Sequence, residues 1–333
     1  MKNIFKDKNI LVTGGTGSIG SEIVRKLLQY EPKVIRVFSN DEYAQFNLQQ
    51  ELQSYPNIRF LVGNVRDKER LRMAAEDIDF IFHTASLKHV PICEYNPFEA
   101  VKTNVLGTQN VIEVAMEVEA EKLISISTDK AVNPVNVMGA TKLLAERLIT
   151  SANCYKGWKR TVFSCVRFGN VFDSRGSVVT LFQEQIKKGG PITITAPDMT
   201  RFVISISKAV ELVLKAMEIA QGGEIFIFKM PALRIGDLAE VILSELAPRY
   251  GYDPAKIKTK ITGKRAGEKF DEELLTKEEV DNAYEVEDMF VVMPEVPTGN
   301  VIGRKAPAGD YSSRGTQLLT KGEIKTLLNE ALH

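Results

Sequence analysis

Residues 9–20 read Asn-Ile-Leu-Val-Thr-Gly-Gly-Thr-Gly-Ser-Ile-Gly, and no other stretch limits the fold so tightly. Asn9 to Thr13 is a short apolar run, enough for one buried strand, and it enters the glycine-rich segment Gly14 to Gly20 without a spacer. Ile23, Val24, Leu27 and Leu28 then recur at helical spacing. Strand, glycine turn and helix in that order gather backbone amides and a helix N-terminus around one point, where they can cradle a pyrophosphate. A glycine triplet alone says little; the order of elements makes it a dinucleotide-binding expectation, with Gly14, Thr16, Gly17, Ser18, Ile19 and Gly20 as the contacting residues.

Apolar strands alternate with amphipathic helices through the first half. Strands are expected near 9–13, 33–38, 58–62, 79–83, 122–127 and 161–167, and helices near 18–29, 41–54, 67–76, 98–118 and 137–155. That alternation predicts an α/β fold, a Rossmann doubly wound parallel sheet covered on both faces. Past Asn170 the pattern loosens, with Gly189-Gly190-Pro191 and Gly222-Gly223. We expect a dinucleotide-binding domain over 1–170, with 201–230 returning to extend its sheet, and a smaller C-terminal substrate-binding lobe built mainly from 171–333. Gly299 to Gly309, rich in Gly and Pro, is expected to be a loop.

The 43 basic and 43 acidic side chains cancel, leaving no electrostatic footprint for nucleic acid or an anionic membrane. No apolar run approaches the ~20 residues that span a bilayer, and Met1 to Lys6 is too short and charged for a signal peptide, so a cytoplasmic protein is expected. Cys93, Cys154 and Cys165 lack paired spacing and read as reduced thiols; with three histidines, His83, His89 and His333, no metal site is expected.

Residues 127–142 read Ser-Thr-Asp-Lys-Ala-Val-Asn-Pro-Val-Asn-Val-Met-Gly-Ala-Thr-Lys. A tyrosine four residues before a lysine on a helix puts phenol and ammonium one turn apart, so the lysine lowers the phenol pKa and makes it a proton acceptor. Here Lys142 is present, but position 138 is methionine. A thioether takes no proton, so the base must be another group, and Asp129 and Lys130 are the nearest candidates. A solvated turn before Pro134 is the plain reading of an isolated Asp-Lys pair; the neighbouring Ser127 and the Lys142 frame argue for chemistry. His83-Thr84-Ala85 closes the run Phe80 to Phe82 at the sheet edge where open parallel sheets bind ligands, and Lys88 and His89 follow at once.

Further runs are spread over nearly the whole length: Thr84-Ala85-Ser86-Leu87-Lys88-His89-Val90-Pro91, Thr128-Asp129-Lys130-Ala131, Arg167-Phe168-Gly169-Asn170-Val171, Ser174-Arg175-Gly176-Ser177-Val178 and Arg265-Ala266-Gly267-Glu268-Lys269. With the glycine turn and the Lys142 frame they make the chain resemble an extended short-chain dehydrogenase/reductase. More narrowly, it resembles the soluble, C5-inverting UDP-N-acetylglucosamine 4,6-dehydratases that begin pseudaminic acid and related bacterial sugar pathways. Some members of the capsule-forming branch also carry methionine where this chain has Met138, which argues against a dead enzyme.

The resemblance implies a UDP-sugar substrate, an NADP cofactor (with NAD as the alternative) held tightly and recycled, and a homo-oligomer paired through helices 98–118 and 137–155. At the end of the second strand, Phe38 and Ser39 supply no carboxylate for the ribose 2′-hydroxyl that NAD presents. Related dehydratases often read Ser-Arg-Asp there; this chain has Asn40 for the arginine, and Asp41 is expected to cap the next helix. Ser39, Asn40, Asn64 and Val65 (the last two toward adenine), Ala85, Lys88, Asn104, which by resemblance steadies the catalytic strand, and Lys142 complete the cofactor set. Lys88, His89, Asn170, Arg175, Ser177, Val178, Arg201, Arg265 and Glu268 form the substrate set, the arginines suited to fork onto a pyrophosphate and Glu268 to accept from a ribose hydroxyl. Exposed salt bridges are the plain alternative for each arginine. Pro191 to Thr195 reads as a strand along the uracil.

By resemblance Thr128, Asp129, Lys130, Met138 and Lys142 form the catalytic frame. Thr128 holds the C4 oxygen, Lys130 takes the C5 proton, Asp129 protonates the departing C6 hydroxyl, and Lys142 grips the nicotinamide ribose. The product would be UDP-2-acetamido-2,6-dideoxy-β-L-arabino-hex-4-ulose. The acceptor of the C4-hydroxyl proton stays open among Asp129, Lys130 and ordered water. So do a nucleotide-sugar epimerase, a 5,6-ene-forming dehydratase and a noncatalytic dinucleotide-binding scaffold, which the absent tyrosine favours and the retained Asp129, Lys130 and Lys142 oppose. A hydroxysteroid or small-alcohol dehydrogenase would require the tyrosine and have no need of the arginines.

Overall fold

The structure, a computed structural model, describes residues 3–172, 174, 176–295, 300, 303–307, 309 and 311–332. Its first half runs β1 (Asn9–Thr13), α1 (Ser18–Leu27), β2 (Val34–Ser39), α2 (Glu42–Glu51), β3 (Ile58–Val62), α3 (Lys68–Ala75), β4 (Phe80–His83), α4 (Val90–Tyr95), α5 (Pro97–Ala100), α6 (Gly107–Glu117), β5 (Lys122–Ile126), α7 (Val137–Tyr155) and β6 (Val162–Arg167). Ile10, Leu11, Val12, Ile81, Phe82, Leu123 and Ile124 are all fully buried, because helices cover both faces of the sheet. The strands pair in parallel in the order β6-β5-β4-β1-β2-β3. The order reverses at β1, flanked by β4 and β2, and the crevice at the C-terminal ends of β1 and β4 is where such sheets bind ligands.

The second half runs β7 (Asn170–Val171), α8 (Val178–Lys187), β8 (Ile192–Ile194), β9 (Thr200–Ile204), α9 (Ile206–Ile219), β10 (Ile225–Phe228), β11 (Ala232–Arg234), α10 (Ile235–Leu246), β12 (Thr259–Ile261), β13 (Glu273–Leu275), α11 (Lys277–Val280), β14 (Ala283–Val286), β15 (Met289–Val292), β16 (Arg304–Lys305), β17 (Tyr311–Ser312) and α12 (Lys321–Leu332). β10 joins β6 in parallel, and β15, β14 and β16 continue the same sheet antiparallel. A separate apolar cluster gathers Phe182, Ile192, Ile194, Leu238, Ile242 and Leu328. Chain beyond residue 170 therefore serves two cores, with 225–228 and 283–292 in the sheet and 179–194 and 235–246 in the second cluster.

Three local expectations need correction. The helix expected over 98–118 is broken: α5 passes at Val101–Leu106 into a wide π-helical turn before α6, a geometry that re-aims side chains at functional sites. α4 was not foreseen, although Pro91 in its first turn is a helix-start signal. The segment expected to be a loop over 299–309 contains β16, paired with β14; residues 299, 301, 302 and 308 of it lie outside the described residues.

Arg167, at the end of β6, is 1% exposed. Its Nε and Nη2 donate to Glu146 at 3.2 and 2.5 Å, its Nη1 and Nη2 to Glu279 at 2.8 and 2.9 Å, and Nη1 to the Leu274 carbonyl at 2.9 Å. The guanidinium so ties α7 to β13 and α11. Arg167→Ala would leave the buried Glu146 carboxylate unpaired and should lower unfolding stability by about 3–5 kcal/mol, measured by chemical denaturation.

His83 is also locked. Thr108 Oγ1 gives its hydrogen to the Asn104 carbonyl at 2.7 Å and so accepts from His83 Nε2 at 3.0 Å, leaving Nδ1 to accept from Thr13 Oγ1 at 2.8 Å. Burial, helped by the Lys142 charge, pushes the His83 pKa down to about 3. Its ring should show no titration between about pH 5 and pH 8 by NMR. Its contribution to stability is complete above the unfolded value of 6.5 and is lost as pH falls toward 3.

Candidate active site

The glycine turn is shaped by close approach. Gly14 has φ 66°, and a Cβ there would lie 2.7 Å from Ala85 Cα; a methyl at Gly20 would collide with the Gly14 carbonyl. Gly17 precedes α1 without any side-chain cap, so the positive end of this helix dipole faces the turn. Gly17, Ser18, Ile19 and Gly20 line a cavity of about 600 Å³ that continues past Lys88, Thr128, Lys130, Met138 and Lys142 to Asn170 and Arg201. A diphosphate fits this cradle by shape and by dipole.

Opposite the cradle, β5 ends at Ile126 and the chain turns through Thr128 into a single 3₁₀ turn at Asp129–Ala131. Asp129 is fully buried. Its Oδ1 accepts from Thr128 Oγ1 at 2.8 Å and from Lys130 Nζ at 2.9 Å, while Oδ2 has no hydrogen-bond partner among the described residues. Lys130 Nζ also reaches Asn170 Oδ1 at 3.3 Å and lies 3.6 Å from Glu272 Oε1. Burial pulls the Lys130 pKa down, but the charges of Asp129 and Glu272 and the Asp129 hydrogen bond outweigh it, so the ammonium is held above its ordinary value. Lys142 is different: burial lowers its pKa, and Nζ donates to the Ile126 carbonyl at 2.5 Å. Ser127 Oγ, buried on the cavity wall, likewise has no hydrogen-bond partner among the described residues.

Met138 is 3% exposed and packs with Cys93 and Ala100, with its edge on the cavity. It is fixed by α7, whose first turn Asn136 caps by accepting from the Gly139 amide at 2.7 Å. Asn136 also donates to the Gly267 carbonyl at 2.8 Å, and Lys269 Nζ to the Val132 carbonyl at 2.5 Å, so the 264–269 loop is pinned to the segment between β5 and α7.

Of the expected residues, the cavity gathers Gly17, Ser18, Ile19, Gly20, Lys88, His89, Thr128, Lys130, Met138, Lys142, Asn170, Ser177, Val178 and Arg201. Asp129 touches it only through Thr128 and Lys130. Thr16 and Ser39 bond each other through their hydroxyls at 2.7 Å, Ala85 packs beneath Gly14, and Asp41 caps α2 through the Ala44 amide at 2.9 Å, beside an exposed Asn40. Asn64 is turned into its own loop, accepting from the Arg66 amide at 3.0 Å, and Val65 is 3% exposed in the core. Asn104 does not brace the catalytic strand. From the π turn its amide accepts from the Leu87 N–H at 2.7 Å and donates to the Leu87 carbonyl at 3.1 Å and Thr141 Oγ1 at 3.0 Å, clamping the segment after β4 to α7.

On the substrate side, His89 lies over Gly176, where there is no room for a side chain, and Ser177 caps α8. Arg201 is not a free phosphate clamp: it donates to the carbonyls of Thr200, Phe270 and Lys269 at 2.7, 3.0 and 3.0 Å. Arg265 and Glu268 sit in a second, open concavity with Val135, and the Glu268 carboxylate accepts from the Arg265 amide at 3.1 Å. Arg175 lies outside the described residues. Ser127, which the sequence offers only as a neighbour of the Asp129-Lys130 pair, stands on the cavity wall, and Glu272 is missed because the run Asp271-Glu272-Glu273 disguises it as solvated surface.

Residues 10–294 match the polysaccharide biosynthesis protein family. An uncharacterized membrane protein of Methanocaldococcus jannaschii is 62% identical over 330 residues, covering 99% of this chain and 98% of that protein. The inverting UDP-N-acetylglucosamine 4,6-dehydratase of Campylobacter jejuni is 45% identical over 295 residues, covering 88% and 85%. A UDP-glucose 4-epimerase of Rickettsia canadensis is 40% identical over 336 residues, covering 98% and 96%. The solved structure of Pen from Bacillus thuringiensis is similar with a TM-score of 0.92 and 47% identity, covering 98% of each chain. Among the described residues no helix is long and apolar enough to cross a membrane.

The Asn104 clamp generates a direct test. Asn104→Ala removes two hydrogen bonds to the Leu87 backbone and one to Thr141 Oγ1, and should lower unfolding stability by about 1–3 kcal/mol in chemical denaturation.

Proposed function

Because the chain belongs to the polysaccharide biosynthesis protein family, as an extended short-chain dehydrogenase/reductase of the nucleotide-sugar dehydratase and epimerase kind, we propose that it dehydrates UDP-N-acetylglucosamine to the C5-inverted 4-keto-6-deoxy sugar. The observation that carries this is the pairing, across one cavity, of a diphosphate cradle at Gly17–Gly20 with a Thr128-Asp129-Lys130 proton cluster, while position 138 offers only a thioether. A nicotinamide dinucleotide held in the cradle supplies a reversible hydride store. NADP is the favoured form: at the end of β2 the Ser39 hydroxyl is taken by Thr16 and the Asp41 carboxylate by the α2 cap, so no acid is left to favour a ribose 2′-hydroxyl.

The proton work falls to the chain. Thr128, on the cavity wall, receives the C4-hydroxyl proton at Oγ1 while passing its own to Asp129 Oδ1, 2.8 Å away. The proton returns by the same two groups to the departing C6 hydroxyl, so Asp129 acts without touching the sugar. Lys130 removes the C5 proton, and solvent reprotonates C5 from the other face. Lys142, uncharged more readily than an exposed lysine because burial lowers its pKa, holds the cofactor's ribose. Asn170, Ser177 and the Arg265–Glu268 loop serve the UDP moiety. A cytoplasmic homo-oligomer belongs to the same reading, with Phe98, Leu106 and Leu144 exposed on the helices expected to pair.

The Rickettsia relative's name favours a second reading, 4-epimerisation, in which the C6 oxygen stays. Substrate deuterated at C4, turned over in deuterated water and followed by NMR, separates them: one deuteron at C5 of an L-arabino 4-keto product and the C4 label in the C6 methyl are expected. A 4-hydroxy epimer with C6 oxygen intact sinks the dehydratase. Lys130→Ala should lose 10²-fold or more in kcat, about 2.7 kcal/mol of barrier, and denatured protein should release NADP detectable by mass spectrometry.

A further inference from the structure

Glu272 stands behind Lys130. Its side chain is 3% exposed, and its Oε1 lies 3.6 Å from Lys130 Nζ and 3.8 Å from Arg201 Nε. Its Oε2 is buried with no hydrogen-bond partner among the described residues, as is Asp129 Oδ2. Lys130 lines the cavity and Glu272 does not. The charged groups facing Glu272 are Lys130 and Asp129 from the turn after β5, Arg201 from β9 and Lys269 from its own segment. Two buried carboxylates around one ammonium, each with an oxygen lacking a donor, make a cluster able to take up another proton. Burial, opposed by Lys130 and reinforced by Asp129, raises the Glu272 pKa, so this carboxylate takes a proton more readily than an exposed glutamate.

We propose that Glu272 takes the proton that Lys130 must shed, converting the ammonium that faces the cavity into an amine. The Lys130 N–H bond breaks, an O–H bond forms on Glu272, and the freed nitrogen electron pair then takes the C5 proton, whose C–H electrons pass to the C4 ketone as an enolate. Both charges of the pair vanish in the first step, and burial, which by itself lowers the Lys130 pKa and raises that of Glu272, acts in the direction of the transfer. Glu272 is thus a positioning residue that acts through Lys130, and the proposal rests on the reading of Lys130 as the C5 base.

One measurement needs no turnover. Lysine side-chain NMR, with Lys130 assigned through Lys130→Arg, should show Lys130 in Glu272→Gln titrating at least about one pH unit below the wild type, because a negative charge beside the ammonium is gone. An unmoved titration overturns the coupling. The second measurement is kcat on UDP-N-acetylglucosamine from about pH 6 to about pH 10. Glu272→Gln should lose about 10²-fold near pH 7 with KM within about threefold, and regain rate as pH rises and solvent takes the Lys130 proton, whereas the wild type and Glu272→Asp stay level. Undiminished kcat in Glu272→Gln, or a loss equal at every pH, overturns the proposal. Should the wild type convert no UDP-sugar, the proposed function fails and the titration still decides whether Glu272 and Lys130 share a proton.

Discussion

The charge cluster of Asp129, Lys130, Glu272 and Arg201 is the constraint on which the site depends. Buried charges are tolerated only when their partners are supplied, and here the partners come from distant parts of the chain: the turn after β5, β9 and the segment before β13. The segments that supply these charges are brought together by the packing of the sheet core and of the second apolar cluster beside it. The cavity is the space that their meeting leaves.

Around that cluster the backbone is held by side chains that do no chemistry. Asn104 in the π turn fixes Leu87 and Thr141, Asn136 links the start of α7 to Gly267, and Arg167 ties α7 to α11. Each is a short polar bridge between segments far apart in sequence. Met138 keeps its place at the head of α7 because Cys93 and Ala100 pack on it, so the loss of a phenol there has not loosened the frame. Groups able to exchange protons stand instead in the separate turn after β5, where Thr128 and Lys130 reach the cavity and Asp129 stands behind them.

Much of this was legible in the chain, because some signals are local. The run from Asn9 to Gly20 dictates strand, turn and helix from backbone sterics and hydrophobic period, and the β1–β6 alternation follows from strands buried on both faces. Asp41 before a helical segment reads as a cap, and it is one. The adjacency of Asp129 and Lys130 to a lysine-bearing helix likewise needs no folding to be seen.

What tertiary structure decided is which polar groups face which. Glu272 sits in an acidic triplet indistinguishable from solvated surface until β9 and the catalytic turn bury it, and Arg201 spends its donors on backbone carbonyls that only the folded 269–270 segment brings within reach. Nor could sequence spacing show that Asn104 would turn to Leu87, since that depends on one π turn interrupting an otherwise helical pattern. Residue types and their periods determined the sheet, the cradle and the adjacency of Asp129 and Lys130, because those arise from neighbours along the chain; burial and long-range hydrogen bonding chose the partners, because a side chain's protonation and contacts are set by what the rest of the molecule packs against it.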